Sequence, residues 1–316
     1  MAASPSPSAR PIPPGALPRP PAADLALLGL AVVAVSTAAP LVRVADAPTL
    51  AVAFWRNALA VPVLALVVAA GARRSPPRLA ARERRLTLVA GLYLGAHFAT
   101  WIPSLSYTSV ASSVALVATQ PVWAALIARR RGEHVPGRAW WGIGLAVAGA
   151  AVLSGVDLSV APRALFGDLL ALAGGVLAAA YVTVGAEVRR TVATSLYATA
   201  CYGVAAGALL VVCGVGRQEL TGYDGGTWLA IVAMVAGPQL LGHTLVNRVL
   251  RTTSPTVVSV AILFEIVGSG LLAWVAFDEV PPATAVPAAA LIAAGVVLVV
   301  RSSPDDPAVA GSPALE

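Results

Sequence analysis

The sequence predicts an all-α membrane protein of ten transmembrane helices, built as two inverted five-helix repeats. Three observations carry that expectation. Ten apolar stretches are each about long enough to cross a bilayer, the arginines gather in alternate loops, and the chain matches itself at an offset of 146 residues.

Hydrophobic residues make up 58% of the 316 residues and charged residues only 11%, whereas a soluble domain carries about 25% charged residues. A helical span needs roughly 20 mostly apolar residues. The candidates are 25–43, 49–70, 86–105, 109–128, 139–154, 166–186, 194–214, 227–247, 255–277 and 283–300. Lipid offers the backbone no hydrogen-bond partners, so only helices or the strands of a closed barrel can cross it. These runs are continuously apolar, and barrel strands would alternate.

The ends of the chain differ from its middle. Residues 1–23 are rich in Pro, Ser and Ala, and 302–316 form a second polar segment containing Pro. Neither has an apolar core, and both are expected to be disordered cytoplasmic tails. No cleavable leader is expected, because the first apolar run begins at Leu25 and reads as an uncleaved span. Between the tails lie the first repeat, 24–155, and the second, 166–301. Cys201 and Cys213 share one apolar segment at a spacing of 12, which suits neither a metal clamp nor a redox pair. Both read as small packing residues.

Formal charge is +6 and every Lys-or-Arg position is Arg. The arginines punctuate loops instead of forming one patch, which argues against nucleic-acid binding. With the N-terminus in the cytoplasm and ten crossings, 17 arginines fall on the cytoplasmic side and three, Arg43, Arg163 and Arg217, on the other. Cytoplasmic loops carry the excess of basic residues, so the chain reads as N-in and C-in. The localisation that follows is a multi-pass protein of the plasma or bacterial inner membrane.

At an offset of 146, Gly91 falls on Gly237, His97 on His243, Ser113-Val114-Ala115 on Ser259-Val260-Ala261, Glu133 on Glu279, Pro136 on Pro282 and Gly149 on Gly295. His, Glu and Pro are scarce here, so those matches weigh most. Five spans per repeat is an odd number, so the second copy enters the membrane from the opposite side. Inverted repeats are an architecture of secondary transporters, which hold substrate near the midplane between the copies.

Several stretches resemble one family in order and spacing: Phe54-Trp55-Arg56-Asn57-Ala58, His97-Phe98-Ala99-Thr100-Trp101 through Ser106-Tyr107-Thr108, Pro121 with Gly132-Glu133, and Gly167-Asp168-Leu169-Leu170-Ala171-Leu172. Gly242-His243 with Asn247, and Glu265 with Asp278-Glu279, continue the series. Over residues 24–301 the chain resembles the EamA-type, ten-helix members of the drug/metabolite transporter superfamily. The resemblance implies a transporter of amino acids, related metabolites or toxic analogues. Ile266 follows Glu265 where the family often has Pro, the usual source of a kink.

Polar residues within the spans supply the candidate translocation site. Glu265 sits near the middle of its span, where an ionised carboxylate is costly. It reads as a cavity-lining acid that binds a substrate amine or carries a proton, or else as a protonated group bonded to a neighbouring helix. Its counterpart in the first repeat is Thr119. His97 and His243 hold equivalent positions, with Trp101 and Asn247 one turn further on the same helical faces. They line the seam, or simply bond helices together at about 0.6–2 kcal/mol each. Gln120 and Pro121 interrupt the fourth span, either opening a carbonyl to a cavity or kinking for packing. Tyr181 can stack on a ligand or fill core. Arg56 is near one end of its span and can snorkel to the external interface, form a salt bridge or meet a substrate carboxylate. Glu133 and Glu279 read as interfacial caps or gate-side groups. Trp140 and Trp141 read as interfacial anchors. The Gly91–Gly95 and Gly203–Gly207 spacings allow close helix contact.

The reading is a secondary transporter moving a small organic metabolite or drug-like solute by alternating access, an amino-acid or metabolite exporter among the options. Its partners are a small-molecule substrate and the lipid bilayer; a homodimer is compatible with the sequence. No cofactor or metal is expected, and no P-loop is present for ATP drive. The alternative is an intramembrane enzyme acting on lipid, but the chain has no HExxH pair, GxSxG elbow or clustered acids at metal-ligand spacing.

Overall fold

The computed structural model describes residues 20–71, 78–104, 107–108, 110–154, 161–278, 280–281 and 283–302. The described residues form ten helical units. They are α1 (Ala22–Val44), α2 (Thr49–Gly71), α3 (Ala81–Ser104), α4 (Val110–Val117 and Gln120–Arg130) and α5 (Gly137–Ser154) in the first half. The second half holds α6 (Pro162–Arg189), α7 (Thr194–Val215), α8 (Gly225–Val249), α9 (Pro255–Phe277) and α10 (Ala285–Ser302). Eight units are long and apolar enough to cross a membrane; the other two are the shorter α5 and the divided α4. The chain is thus an all-α, multi-pass membrane protein of ten helices. Apart from residues 20–23 and 302, the two predicted tails lie outside the described residues.

Local sequence sets the helix starts. Ser254 precedes Pro255 at the head of α9, and its hydroxyl accepts from Val257 N at 3.3 Å. A hydroxyl cap followed by Pro at the first helical position stops the chain continuing backwards into the preceding helix. Asp224 caps α8 in the same way, accepting from Thr227 N at 2.6 Å.

Four helices are interrupted, each at a definable point. α1 turns at Thr37, between Ala22–Ser36 and Ala38–Val44. α4 breaks before Thr119, with Pro121 in the first turn of its second part. α9 breaks at Leu263, where Ile266 N bonds back to Leu263 O at 3.2 Å in an i to i−3 turn. The break therefore forms without a proline after Glu265. In α8 the stretch Val235–His243 winds as a π-helix around Pro238. A proline lacks the N–H that the α ladder needs, and a π-turn absorbs the defect. The equivalent stretch of α3 has Leu92 in place of Pro238 and stays α-helical.

The halves interlock instead of packing as two separate bundles. α5 lies against α10, α2 against α7, α3 against α6 and α1 against α8. Each pairing joins one half to the other: the repeat exchanges α5 with α10 and α2 with α7, and it turns the α3–α6 pairing into α8–α1. The α5–α10 contact shows the inversion directly. A Cβ on Gly142 would lie 2.7 Å from the Gly295 carbonyl oxygen, and one on Gly149 would lie 2.7 Å from that of Ala288. Adding 146 turns Gly142 into Ala288 and Gly149 into Gly295, so one contact is the image of the other. An antiparallel pair that maps onto itself this way has a pseudo-twofold axis through its middle.

Gly91 and Gly95 bring α3 onto α7 as expected: a Cβ on Gly91 would meet Cys201 O at 2.7 Å. The Gly203–Gly207 expectation is wrong. Nothing lies within 4 Å of a Cβ on Gly207, and only Val61 reaches 3.9 Å from one on Gly203. α7 packs through its opposite faces, burying Tyr197, Cys201, Tyr202 and Leu209. Cys201 and Cys213 are both free and buried.

Candidate functional site

Five helices deliver polar and aromatic side chains to one region of the apolar interior. From α2 comes Arg56, only 4% exposed. Its Nε donates to Gln239 Oε1 of α8 at 2.9 Å, and Gln239 Nε2 donates to Asn57 Oδ1 at 3.1 Å. Asn57 in turn donates to Ala53 O at 2.8 Å. The guanidinium carbon lies 4.8 Å from the ring centre of Phe98 on α3. Cation–π contact and a fixed amide partner thus hold the charge in place. One nitrogen, Nη2, is buried and has no hydrogen-bond partner.

Arg56 does not snorkel to the interface. The link between α7 and α8 folds over the start of α2, where Trp55 Nε1 donates to Leu220 O at 2.7 Å and Trp55 packs on Trp228 at 5.3 Å. That cover leaves Arg56 a closed interior instead of an open water interface.

Around the arginine stand the predicted histidines. His97 Nδ1 donates to Gly174 O of α6 at 2.9 Å, and its ring stacks on Trp101 at 5.7 Å. His243 meets Phe98 edge-on at 6.3 Å. Both histidines and Glu265 lie within electrostatic range of Arg56. Glu265 is in the first turn of the second part of α9, directly after the break. Among the described residues, the ion pairs within 4 Å join Glu187 to Arg82 and to Arg131; none joins Glu265 to Arg56. Both His97 and His243 are half-buried, as is Glu265.

A second polar group adjoins the first. Tyr181 donates to Asn247 Oδ1 at 2.9 Å, and Asn247 Nδ2 donates to the Tyr202 hydroxyl at 3.3 Å. Tyr181 is therefore a bonded core residue. Arg189 is 2% exposed and donates from Nε to Asn247 O at 2.8 Å. Gln120, beside the α4 break, donates to Ser259 of α9 at 3.0 Å. Pro121 starts the second part of α4. Glu133 lies apart from this centre, and Glu279 falls outside the described residues. Sequence reading missed Gln239, Asn57, Tyr202 and Arg189. Gln239 left a signal, because it is a lone amide directly after a mid-span proline.

A cavity of about 560 Å³ opens at the Arg-rich end, lined by Arg131, Glu133 and His134 of the first half and by Thr183, Glu187 and Ser254 of the second. It does not include Arg56, Glu265 or the histidines. Glu187 holds both Arg82 and Arg131 across it. At the other end a hollow of about 570 Å³ is lined by Asp46, Glu219, Tyr223 and Asp224. The Thr227 N–H bound to Asp224 holds that carboxylate below the usual Asp range. Asp46 N also donates to Thr227 Oγ1 at 3.2 Å, tying the α1–α2 link to α8. The central cluster is thus roofed at one end and separated from the cavity at the other.

A family description fits this arrangement. The EamA-like transporter family matches residues 22–155 and again 165–301. The chain belongs to the EamA-like transporter family, and it is a membrane transporter of the drug/metabolite superfamily type. A crystal structure of a protein 22% identical in sequence has the same fold: the similarity covers 89% of this chain and 97% of that one, with a TM-score of 0.73. No curated protein matches the chain.

Proposed function

We propose that the protein is a secondary transporter that carries a small organic metabolite or drug-like solute by alternating access. The observation that carries this reading is the charged and aromatic cluster around Arg56, built from both inverted halves and flanked by broken helices. Secondary transporters place their sites at discontinuous helices between repeats, where backbone groups freed by the breaks face the ligand. Here α4 breaks before Thr119 and α9 at Leu263, positions that the offset of 146 brings nearly together. The first EamA-like repeat spans 24–155 and the second 166–301 in this reading.

The solute passes Arg56, His97, Trp101, His243 and Glu265, with Tyr181, Asn247 and Gln120 forming the wall. Glu265 binds a cationic group or carries a proton, and Glu133 and Glu279 with Pro121 act near the gates. The arginine distribution supports cytoplasmic termini in a plasma or bacterial inner membrane. The cavity at the Arg-rich end then faces inward. Amino acids and related metabolites are the first solutes to try, with export as the first direction. The family match points to a transporter instead of an enzyme acting on lipid.

Purified protein in proteoliposomes tests the reading. Saturable uptake of a labelled amino acid or metabolite, accelerated by the unlabelled solute inside, is expected. Flux that rises linearly with concentration and shows no counterflow would contradict it.

A further inference from the structure

Arg56 presents an unusual combination. Its charge is removed from water, its Nε is committed to Gln239, its face rests on Phe98, and its Nη2 has no partner. A buried charged donor without an acceptor is unfavourable, and the protein does not relieve it with the nearby acid, because Glu265 stays beyond ion-pair distance. The support beneath the arginine is nevertheless elaborate. Gln239 is fully buried, is fixed by Asn57, and is carried on the π-helical stretch that Pro238 forces into α8. This chain of bonds aims the guanidinium and leaves Nη2 unpaired.

We propose that Arg56 Nη2 is the anchoring donor for a carboxylate of the transported solute, with Gln239 as the residue that positions it. The proposal rests on the transporter reading above and adds the chemistry that the site selects. An unpaired, buried Nη2 beside a committed Nε matches one singly charged, planar acceptor. A phosphate dianion is disfavoured, because the carboxylate of Glu265 lies within electrostatic range of the same arginine. Arg82 and Arg131 at the cavity are poorer anchors, because both are already paired with Glu187.

The test compares matched pairs on purified protein: leucine, phenylalanine, benzoate and octanoate, each against its primary amide. Binding is read as a shift in thermal unfolding. At least one acid is expected to stabilise the wild-type protein with about 10–100-fold higher apparent affinity than its amide, the range of a charge-assisted hydrogen bond. Arg56→Gln should erase that preference. If Arg56→Gln does not fold, Arg56→Lys serves, since it keeps the charge but loses the fork held by Gln239; the preference should fall at least about three-fold. Equal shifts from acids and amides, no shift from any acid, or an unchanged preference in a folded Arg56 variant would overturn the proposal. Uptake of the same pairs separates the two readings. Saturable uptake of acids and amides alike keeps the transporter and removes the anchor. Acid-selective binding lost in Arg56→Gln, without any flux, keeps the anchor and removes the transporter.

Discussion

Arg56 of α2 and Gln239 of α8 are bonded across the two halves of the molecule, Nε to Oε1 at 2.9 Å, with both side chains buried. The bond makes a stability prediction. Gln239→Leu removes the acceptor and leaves Nε as well as Nη2 without a partner. The loss should be about 1.5–3 kcal/mol, the scale of a hydrogen bond to a charged group. It would be read as a lower midpoint of thermal unfolding in detergent. An unchanged midpoint would mean that the arginine finds another acceptor.

The α5–α10 seam predicts matched effects at two glycines that face each other across it. A Cβ on Gly142 would meet Gly295 O at 2.7 Å, and one on Gly295 would meet Gly142 O at 2.5 Å. Backbone cannot yield as a flexible side chain does. Gly142→Ala and Gly295→Ala should each destabilise by about 1–3 kcal/mol through overpacking. Gly144→Ala is the control, since nothing lies within 4 Å of its Cβ. It should be neutral or stabilise by up to about 1 kcal/mol, the helix preference of Ala over Gly. Unfolding midpoints of the three variants measure this, and equal losses at all three would remove the seam argument.

Glu265 stands at the α9 break beside the buried arginine. Glu265→Gln keeps its size and hydrogen bonding and deletes the charge. Uptake in proteoliposomes should fall at least about ten-fold, the weight of one lost charge contact, or lose its dependence on pH. Wild-type rates across the whole pH range would show that the acid only packs.

Asp224 gives a pH signature at the start of α8. Thr227 N–H favours the carboxylate form, so the folded protein holds the proton less tightly than the unfolded chain. The stabilisation is present above the ordinary Asp pKa and is lost as pH falls through the depressed folded value. Asp224→Ala should lower the unfolding midpoint at neutral pH, with the gap to wild type closing in strong acid. A gap that stays constant down to the acid limit would rule out the cap.

The ten spans and the inversion were legible because both rest on coarse, robust signals: apolar length, loop charge and rare residues repeated at a fixed offset. The offset paired His97 with His243 as equivalent positions, while their shared contact with Phe98 is a feature of the fold. The depth of Arg56 did not, because the α7–α8 link that roofs it is distant in sequence. Gln239 was missed for a related reason. In an almost wholly apolar helix, periodicity does not reveal the inner face, and the π-turn at Pro238 shifts whatever phase remains. The α9 break was equally hidden, since Ile266 gives no proline to mark it.

The central claim is that inverted halves enclose one route with a separate mouth on each side of the membrane. Single cysteines at His134 and Asp46, which line the opposite hollows, test it in oriented vesicles. Cys201 and Cys213 are buried and give little background. The account predicts that a membrane-impermeant thiol reagent labels the two positions from opposite sides, and that a transported solute changes their rates in opposite directions. Labelling of both positions from the same side would contradict it.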